Sequence, residues 1–277
     1  MATTVDQHFI TEYEAAVHLA YQQRGSKLRK TVRLATQVKA SRHVFQKSGR
    51  GVAGKKARNG NVPIMNAQSG SVTVTLEDWY AAEYIDKLDA LKTNVDELNV
   101  AAQTGAYALG RKMDELLIAK MAGAGSTVEL GDAGLTKAKI LAAFKALNAA
   151  EVPDDGQRFG VVGANQWNEL LNIDEFKNSR FVGEAYPWLQ GTESRTWLNI
   201  VWILSNHLPL SGSTRTCYLY HKSALGLAEG PGVFTSSIDW VPEKAAHLAD
   251  NMMSAGAGLI DAEGVVAIDC NDDATIE

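Results

Sequence analysis

The stretch Gly49-Arg50-Gly51-Val52-Ala53-Gly54-Lys55-Lys56 has the spacing of a phosphate-cradling loop, G-x-x-x-x-G-K, in which backbone N–H groups and a lysine hold the phosphates. Lys56 stands where that chemistry needs a hydroxyl to ligate Mg²⁺. The residues that follow, Ala57-Arg58-Asn59-Gly60-Asn61, are a loop signal and not the start of a helix. The stretch therefore reads as a flexible basic loop tip. The histidines, His8, His18, His43, His207, His221 and His247, form no H-x-x-x-H pair and have no cysteine close by in sequence, so no zinc site is expected. No G-x-S-x-G elbow offers a serine nucleophile. Acid pairs such as Asp86 with Asp89, Asp96 with Glu97, and Asp154 with Asp155 sit in polar stretches, where a solvated face or a helix cap is a simpler role than acid–base catalysis. Neither an enzyme mechanism nor a cofactor is expected.

What the chain does carry is segregated charge. Residues 15–76 hold twelve Lys/Arg and no acid, whereas residues 77–277 hold fifteen Lys/Arg against twenty-nine acids. The net charge of −5 thus hides a basic arm on an acidic body. The arm's cations are Arg24, Lys27, Arg29, Lys30, Arg33, Lys39, Arg42, Lys47, Arg50, Lys55, Lys56 and Arg58. They can neutralise phosphates or meet carboxylates on a partner, so the surface suits a polyanion and, equally, another copy of the chain. The tryptophans, Trp79, Trp167, Trp188, Trp197, Trp202 and Trp240, are not interleaved with these cations. They read as core or subunit-contact residues and not as stacking platforms for single-stranded nucleic acid.

At 277 residues with 45% apolar and 21% charged residues, the chain has ordinary globular composition and enough length for one large or two modest domains. No apolar run is long enough to span a bilayer, and the N-terminus lacks the basic-then-apolar build of a secretory signal, which together point to a cytosolic protein without a membrane partner. Cys217 and Cys270 sit in strand-like apolar runs and read as small buried residues.

Several elements must position the arm. Phe9, Ile10, Tyr13, Ala16, Val17 and Ala20 have helical spacing, which predicts a short amphipathic helix over 6–21. Val32, Leu34, Thr36 and Val38 alternate with polar residues and predict a strand, as do Val72, Val74 and Leu76. Between them lies a glycine-rich connector of about thirty residues, long for a compact domain; pairing of its two flanking strands would make it a projecting hairpin. Leu98, Ala102, Ala106, Leu109, Met113, Leu116, Leu117 and Met121 predict a helix over Asn94–Ala122, with an Asn94/Glu97 capping box and Gly123 and Gly125 as its stop. Such a helix is roughly 40 Å long. Mixed α and β follow: a helix capped by Thr136, a strand at Phe159–Val162, a helical turn or two at Asn165–Leu171, and strands at Val201–Leu204 and Thr216–His221. Gly258–Ile260 and Val265–Cys270 flank Asp261-Ala262-Glu263-Gly264 as a closing hairpin.

The order of these parts resembles the major capsid proteins of tailed bacteriophages. The resemblance lies in the run from Val72 to Asp86 (VTVTLEDWYAAEYID), the helix run from Leu109 to Ile118 (LGRKMDELLI), the run from Tyr218 to Ala228 (YLYHKSALGLA) and the closing run from Gly256 to Ile268 (GAGLIDAEGVVAI). It implies an α+β chain with the Hong Kong 97-like fold: an N-terminal arm over 1–30, an extended β-hairpin loop over 31–76, a peripheral domain with a spine helix over 77–129, a mixed α/β axial domain over 130–235, and a return to the peripheral domain over 236–277. It further implies hexamers and pentamers of an icosahedral shell packaging double-stranded DNA, a separate scaffolding protein, a portal, a possible cement protein, and assembly in the host cytoplasm. On that reading Arg33, Lys39, Arg42, Lys47, Arg50, Lys55, Lys56 and Arg58 contact a neighbouring subunit, while Arg24, Lys27, Arg29 and Lys30 face DNA or the lumen. Family members that cross-link lysine to asparagine do so from the loop that here carries Lys47, Lys55 and Lys56; no matching asparagine or carboxylate is identifiable. Two rival readings share the charge pattern, a nucleic-acid-binding protein using its basic arm and an encapsulin-like cage for protein cargo.

Overall fold

The structure is a computed structural model that describes residues 22–65, 67–88, 97–129, 131, 133–173, 176, 194–232 and 235–274. The expected helix over 6–21 and the Asn94 half of the capping box lie outside them. The 3.6-residue apolar series folds as expected into a long helix, α1 (Glu97–Met121), which buries Ala101, Leu109, Met113, Leu117 and Met121 on one side. That side lies across a five-stranded sheet made of β1 (Arg33–Ala35), β4 (Glu77–Asp86), β11 (Leu225–Glu229), β12 (Thr235–Val241) and β13 (Ala246–Leu259). β13 is the spine of this sheet. It pairs antiparallel with β4 along 246–255 on one edge, and with β12 and then β11 on the other. The odd-numbered residues Ala249, Asn251 and Met253 are buried beneath α1. A Cβ at Gly105 of α1 would fall on the Asn251 side chain, so the small residue sets how closely helix and sheet approach.

The second sheet has seven strands: β5 (Ser126–Val128), β14 (Val265–Asn271), β10 (Thr214–His221), β6 (Arg158–Val162), β8 (Ile200–Leu204) and β7 (Ser194–Trp197) in that order, with β9 (Leu210–Ser211) pairing β10. Strands β6, β8 and β14 read as near-continuous apolar runs because both of their faces are buried. Helix α2 (Lys137–Ala149) begins at the Thr136 cap, whose hydroxyl accepts from the Lys139 N–H, and α3 (Ala164–Asn172) follows β6. Trp167, Phe176, Trp197 and Trp202 stack edge-on and tilted at 5.9–6.5 Å between ring centres, which places three of the six tryptophans in this core. A Cβ on Gly160 would come within 2.5 Å of the Trp202 ring, its cross-strand neighbour. Cys217 and Cys270 are buried free thiols. Arg215 grips Asp272 through two bonds of 2.8 and 2.9 Å, which holds the Asp272 carboxyl below its ordinary range despite burial. Among the described residues no helix is long and apolar enough to cross a membrane.

Two expectations are corrected. The strand predicted from Val32 to Val38 breaks at Gln37, whose φ of 58° is left-handed; only Arg33–Ala35 forms β1, and it pairs in parallel with β11. The partner of β3 (Ser69–Thr75) is instead β2 (Arg42–Ser48), from the segment read as connector. The closing run is not a hairpin. β13 ends in the five-stranded sheet and β14 joins the seven-stranded one, so Asp261–Gly264 is a crossover, pinned where the Ile260 and Asp261 N–H groups both donate to the Ala224 carbonyl at 2.8 and 3.1 Å.

The N-terminal segment is clasped to α1 by a fully buried carboxylate. Asp114 accepts from Gln23 Nε2 at 2.6 Å, Ser26 Oγ at 2.5 Å, and the Lys27 and Leu28 N–H groups at 3.0 and 3.1 Å. One turn earlier, a Cβ on Gly110 would lie 2.6 Å from the Gly25 backbone, so the glycine lets the chain cross the helix at contact distance. Thr31 and Tyr220 share a buried hydroxyl bond of 2.5 Å just beyond. Asp114→Ala strands two backbone N–H groups in a dry interface and is expected to lower stability by about 2–4 kcal/mol. Urea unfolding reads this as a lower midpoint at unchanged slope; a shift below about 0.5 kcal/mol would mean the clasp is not structural.

Candidate functional site: the basic arm and loop

β2 and β3 leave the body as an antiparallel ribbon with Arg42 opposite Thr75 and Ser48 opposite Ser69. The ribbon's root lies flat on one face of the five-stranded sheet, the face away from α1. Phe45 and Val74 are each 2% exposed there, and pack with Ala228 and Ile260. The floor is made of glycine. Gly226 and Gly258 are cross-strand partners in β11 and β13, with Gly256 next along the same face. A Cβ on Gly226 would lie 2.6 Å from the Phe45 ring, and one on Gly258 or Gly256 would strike Val74 or the Thr75 carbonyl. Arg33 on β1 shares this face, its guanidinium 5.6 Å from the Phe45 ring centre.

Beyond the strands the two legs stay together. The Gly49 N–H donates to Gln68 O at 2.7 Å, and a Cβ on Gly51 or Gly54 would run into Met65 or Pro63. The far end is a turn closed by Gly60 N–H to Ala57 O at 3.0 Å, with Asn59 at φ 68°. From Arg42 to the turn the ribbon reaches about 50 Å at about 3.3 Å per residue. Its outer half carries bare apolar side chains: Val52 is 84% exposed, Val62 71%, Ile64 84% and Met65 58%. Side chains of this kind, exposed together, mark an interaction surface.

The twelve cations separate into groups. Arg29 donates through Nε and Nη2 to both oxygens of the fully buried Glu229, at 2.6 and 2.7 Å, and this hydrogen bonding raises its pKa against the cost of burial. Lys27 Nζ donates to the Leu204 carbonyl at 3.1 Å. These two hold the arm to its own body. Arg24 and Lys30 are exposed. Lys47 pairs with Asp261 at 2.8 Å, and Arg50 reaches the Ala150 carbonyl at 2.6 Å, Glu263 at 3.1 Å and Glu151 at 3.5 Å. Lys47 and Arg50 thus aim the ribbon across the Asp261–Gly264 crossover. They close one side of a cavity of about 360 Å³, whose far wall holds His221. His221 bonds Ser223 Oγ at 2.7 Å and Asp155 at 3.1 Å, and its Nδ1 accepts the Ser223 N–H, a cap over the start of a short 3₁₀ turn. Burial pushes Asp155 up, but hydrogen bonds from His221 and the Gln157 N–H outweigh it and leave this carboxyl below its ordinary range. Lys39, Arg42, Lys55, Lys56 and Arg58 are exposed and have no ion-pair partner among the described residues. Sequence reasoning missed the glycine floor, although Gly256 and Gly258 at a spacing of two were its signal. It also missed the apolar outer half, hidden by the basic residues around it.

A clasped N-terminal segment, a long two-legged loop, a long helix across one sheet and a second mixed sheet make up the Hong Kong 97-like fold of shell-building proteins. A family model described as phage capsid protein matches residues 5–272, and the chain belongs to that family. It is a major capsid protein, many copies of which build the icosahedral shell of a virion. Solved structures share the fold at low identity. The capsid of a native GTA particle superimposes with a TM-score of 0.74 at 11% identity over 98% of this chain and 99% of that one. The capsid of Ralstonia phage GP4 gives 0.72 at 11% identity over 98% and 97%, and a chain of Mycobacterium phage Che8 gives 0.69 at 17% over 97% and 99%. No curated protein sequence matches the chain.

Gly258→Val places a side chain under Val74 and is expected to lift the ribbon root, with a loss of about 1–3 kcal/mol. Limited proteolysis of the native protein should then cut within 42–75 at least ten times faster. Gly70→Ala in β3, where a Cβ meets nothing within 4 Å, is the control and should leave the rate unchanged; equal rates in both variants would refute the floor.

Proposed function

We propose that residues 31–76 clasp a neighbouring subunit, so that the chain assembles as hexamers and pentamers around double-stranded DNA. The observation that carries this reading is the outer half of the loop, which is both apolar and basic and has no floor among the described residues. Full burial of an apolar side chain contributes about 1.5–3 kcal/mol, whereas an exposed ion pair contributes about 0–1 kcal/mol. Val52, Val62, Ile64 and Met65 therefore supply most of the affinity, while Lys55, Lys56 and Arg58 guide encounter and register against an acidic neighbour. Closed symmetry repeats each contact around the shell. The role is architectural, without catalysis.

In this reading 1–30 is the arm, 77–125 with 225–259 the peripheral domain, and 126–224 with β14 the axial domain, since β11 pairs β13 and β5 pairs β14. Joining β14 to the axial sheet follows from its strand partners. Of the residues assigned to DNA, Arg24 and Lys30 are exposed and keep that role on that ground alone; Lys27 and Arg29 bond the body of their own chain, which argues against a nucleic-acid-wrapping arm. A scaffolding protein, a portal and in some shells a cement protein complete the particle, which assembles in the host cytoplasm. The discriminating variant reverses Lys55, Lys56 and Arg58 to Glu. It should melt within about 2 °C of wild type and yield at least tenfold fewer shells by electron microscopy. Normal shells from this variant would overturn the assignment.

A further inference from the structure

Asn59-Gly60 is the single Asn-Gly step in the chain, and it lies in the turn at the far end of the loop. An asparagine before glycine is open to attack on its own side chain. The following backbone nitrogen and the side-chain amide carbon close a five-membered ring, and glycine has no Cβ to shield that nitrogen. Little in the fold prevents the attack here. Asn59 is exposed and sits at φ 68°, and its side chain makes no hydrogen bond among the described residues. The Gly60 N–H donates to Ala57 O at 3.0 Å, and a single turn at an exposed loop end opens at small cost. Lys55, Lys56 and Arg58 flank the turn, exposed and without an ion-pair partner among the described residues, so the local field favours the anionic nitrogen and the oxyanion that attack creates. Asp155-Gly156, the single Asp-Gly step, is the contrast. Its carboxyl is held by His221 and the Gln157 N–H and lies below its ordinary range, so it stays ionised and resists attack.

We propose that Asn59 is a self-modification site that limits how long an unassembled subunit stays competent to assemble. The deprotonated Gly60 nitrogen attacks Asn59 Cγ, and the new C–N bond closes a succinimide. The side-chain nitrogen takes up the proton lost from Gly60 and leaves as ammonia. Water then opens one of the two ring C–N bonds, which gives aspartate or isoaspartate at position 59. Either product sets a carboxylate among Lys55, Lys56 and Arg58, and isoaspartate also lengthens the backbone by one methylene. Both alter the surface offered to an acidic neighbour. The inference rests on the shell reading: a tip covered by a neighbour cannot open its turn, so assembly stops the reaction and delay lets it proceed.

The test incubates dissociated native subunits and intact shells side by side at pH 6, 7 and 8. Residue 59 is followed by peptide mass spectrometry, with enzymatic methylation as the readout for isoaspartate. Subunits should convert with isoaspartate as the larger product, about tenfold faster per pH unit because attack needs the deprotonated nitrogen, and shells at least tenfold more slowly than subunits. Gly60→Ala should slow conversion at least tenfold without disturbing the turn, since Gly60 has no positive φ and a Cβ there comes no closer than 3.4 Å to Ala57. Wild-type subunits aged to near-complete conversion should yield at least fivefold fewer shells, whereas Gly60→Ala subunits aged alike should assemble as fresh ones do. No conversion at residue 59 in subunits, conversion to aspartate alone, or undiminished assembly of converted subunits overturns this inference and leaves the shell reading intact. Conversion as fast in shells as in subunits contradicts both, because the tip is then uncovered in the particle.

Discussion

A ribbon can lie flat on a sheet only where the sheet has no side chains in the way, and Gly226, Gly256 and Gly258 meet that condition at one place. Everything the loop does depends on that seat. Over about 50 Å of extended ribbon, a tilt of about 10° at the root displaces the tip by about 9 Å, enough to miss a partner surface. Phe45 and Val74 fix the root by burial, and Lys47 and Arg50 fix the direction in which it leaves. The two sets differ in strength. Apolar packing with glycine clearance is stiff, whereas ion pairs this exposed contribute about 0–1 kcal/mol each, so the outer loop can shift to fit a neighbour while its root stays in place.

The charge segregation serves two ends. Part of it is internal: Arg29 neutralises the buried Glu229, and Asp114 gathers the donors of residues 23–28, so the arm is bound to the body by groups that each need a partner once out of water. The remainder, at Lys39, Arg42, Lys55, Lys56 and Arg58, lies on the surface of the arm and loop, and the body carries the compensating acids. A chain with opposite fields on its two parts is complementary to its own copies, and a shell of repeated contacts needs that property more than it needs any one strong bond.

The elements legible in the sequence were those whose own pattern matches their burial. α1, the Thr136-capped α2, and strands β6, β8 and β10 each present a clear period or an unbroken apolar run. β13 was legible only at its last residues, because AHLADNMMSAGAGL is rich in small residues that score poorly as strand; they are small because α1 packs on one face and the loop root on the other. β2 was lost among charges, since Phe45 alone of its seven residues is buried. The false closing hairpin had the turn chemistry of one, and only the partners of β14, far away in sequence, send it to the other sheet. Of the candidate site, the cations could be read from the chain, but not which of them face inward. That depends on Glu229, Asp261 and Glu263, which meet the arm and loop only after folding.

The outer half of the loop has no floor among the described residues of its own chain and is expected to gain one in the shell. Backbone hydrogen exchange, compared between dissociated subunits and intact shells, tests it residue by residue. Residues 42–48 and 69–75 should be protected in both states, while residues 51–65 should exchange fast in the subunit and at least a hundredfold more slowly in the shell. Equal exchange of residues 51–65 in the two states would contradict the account.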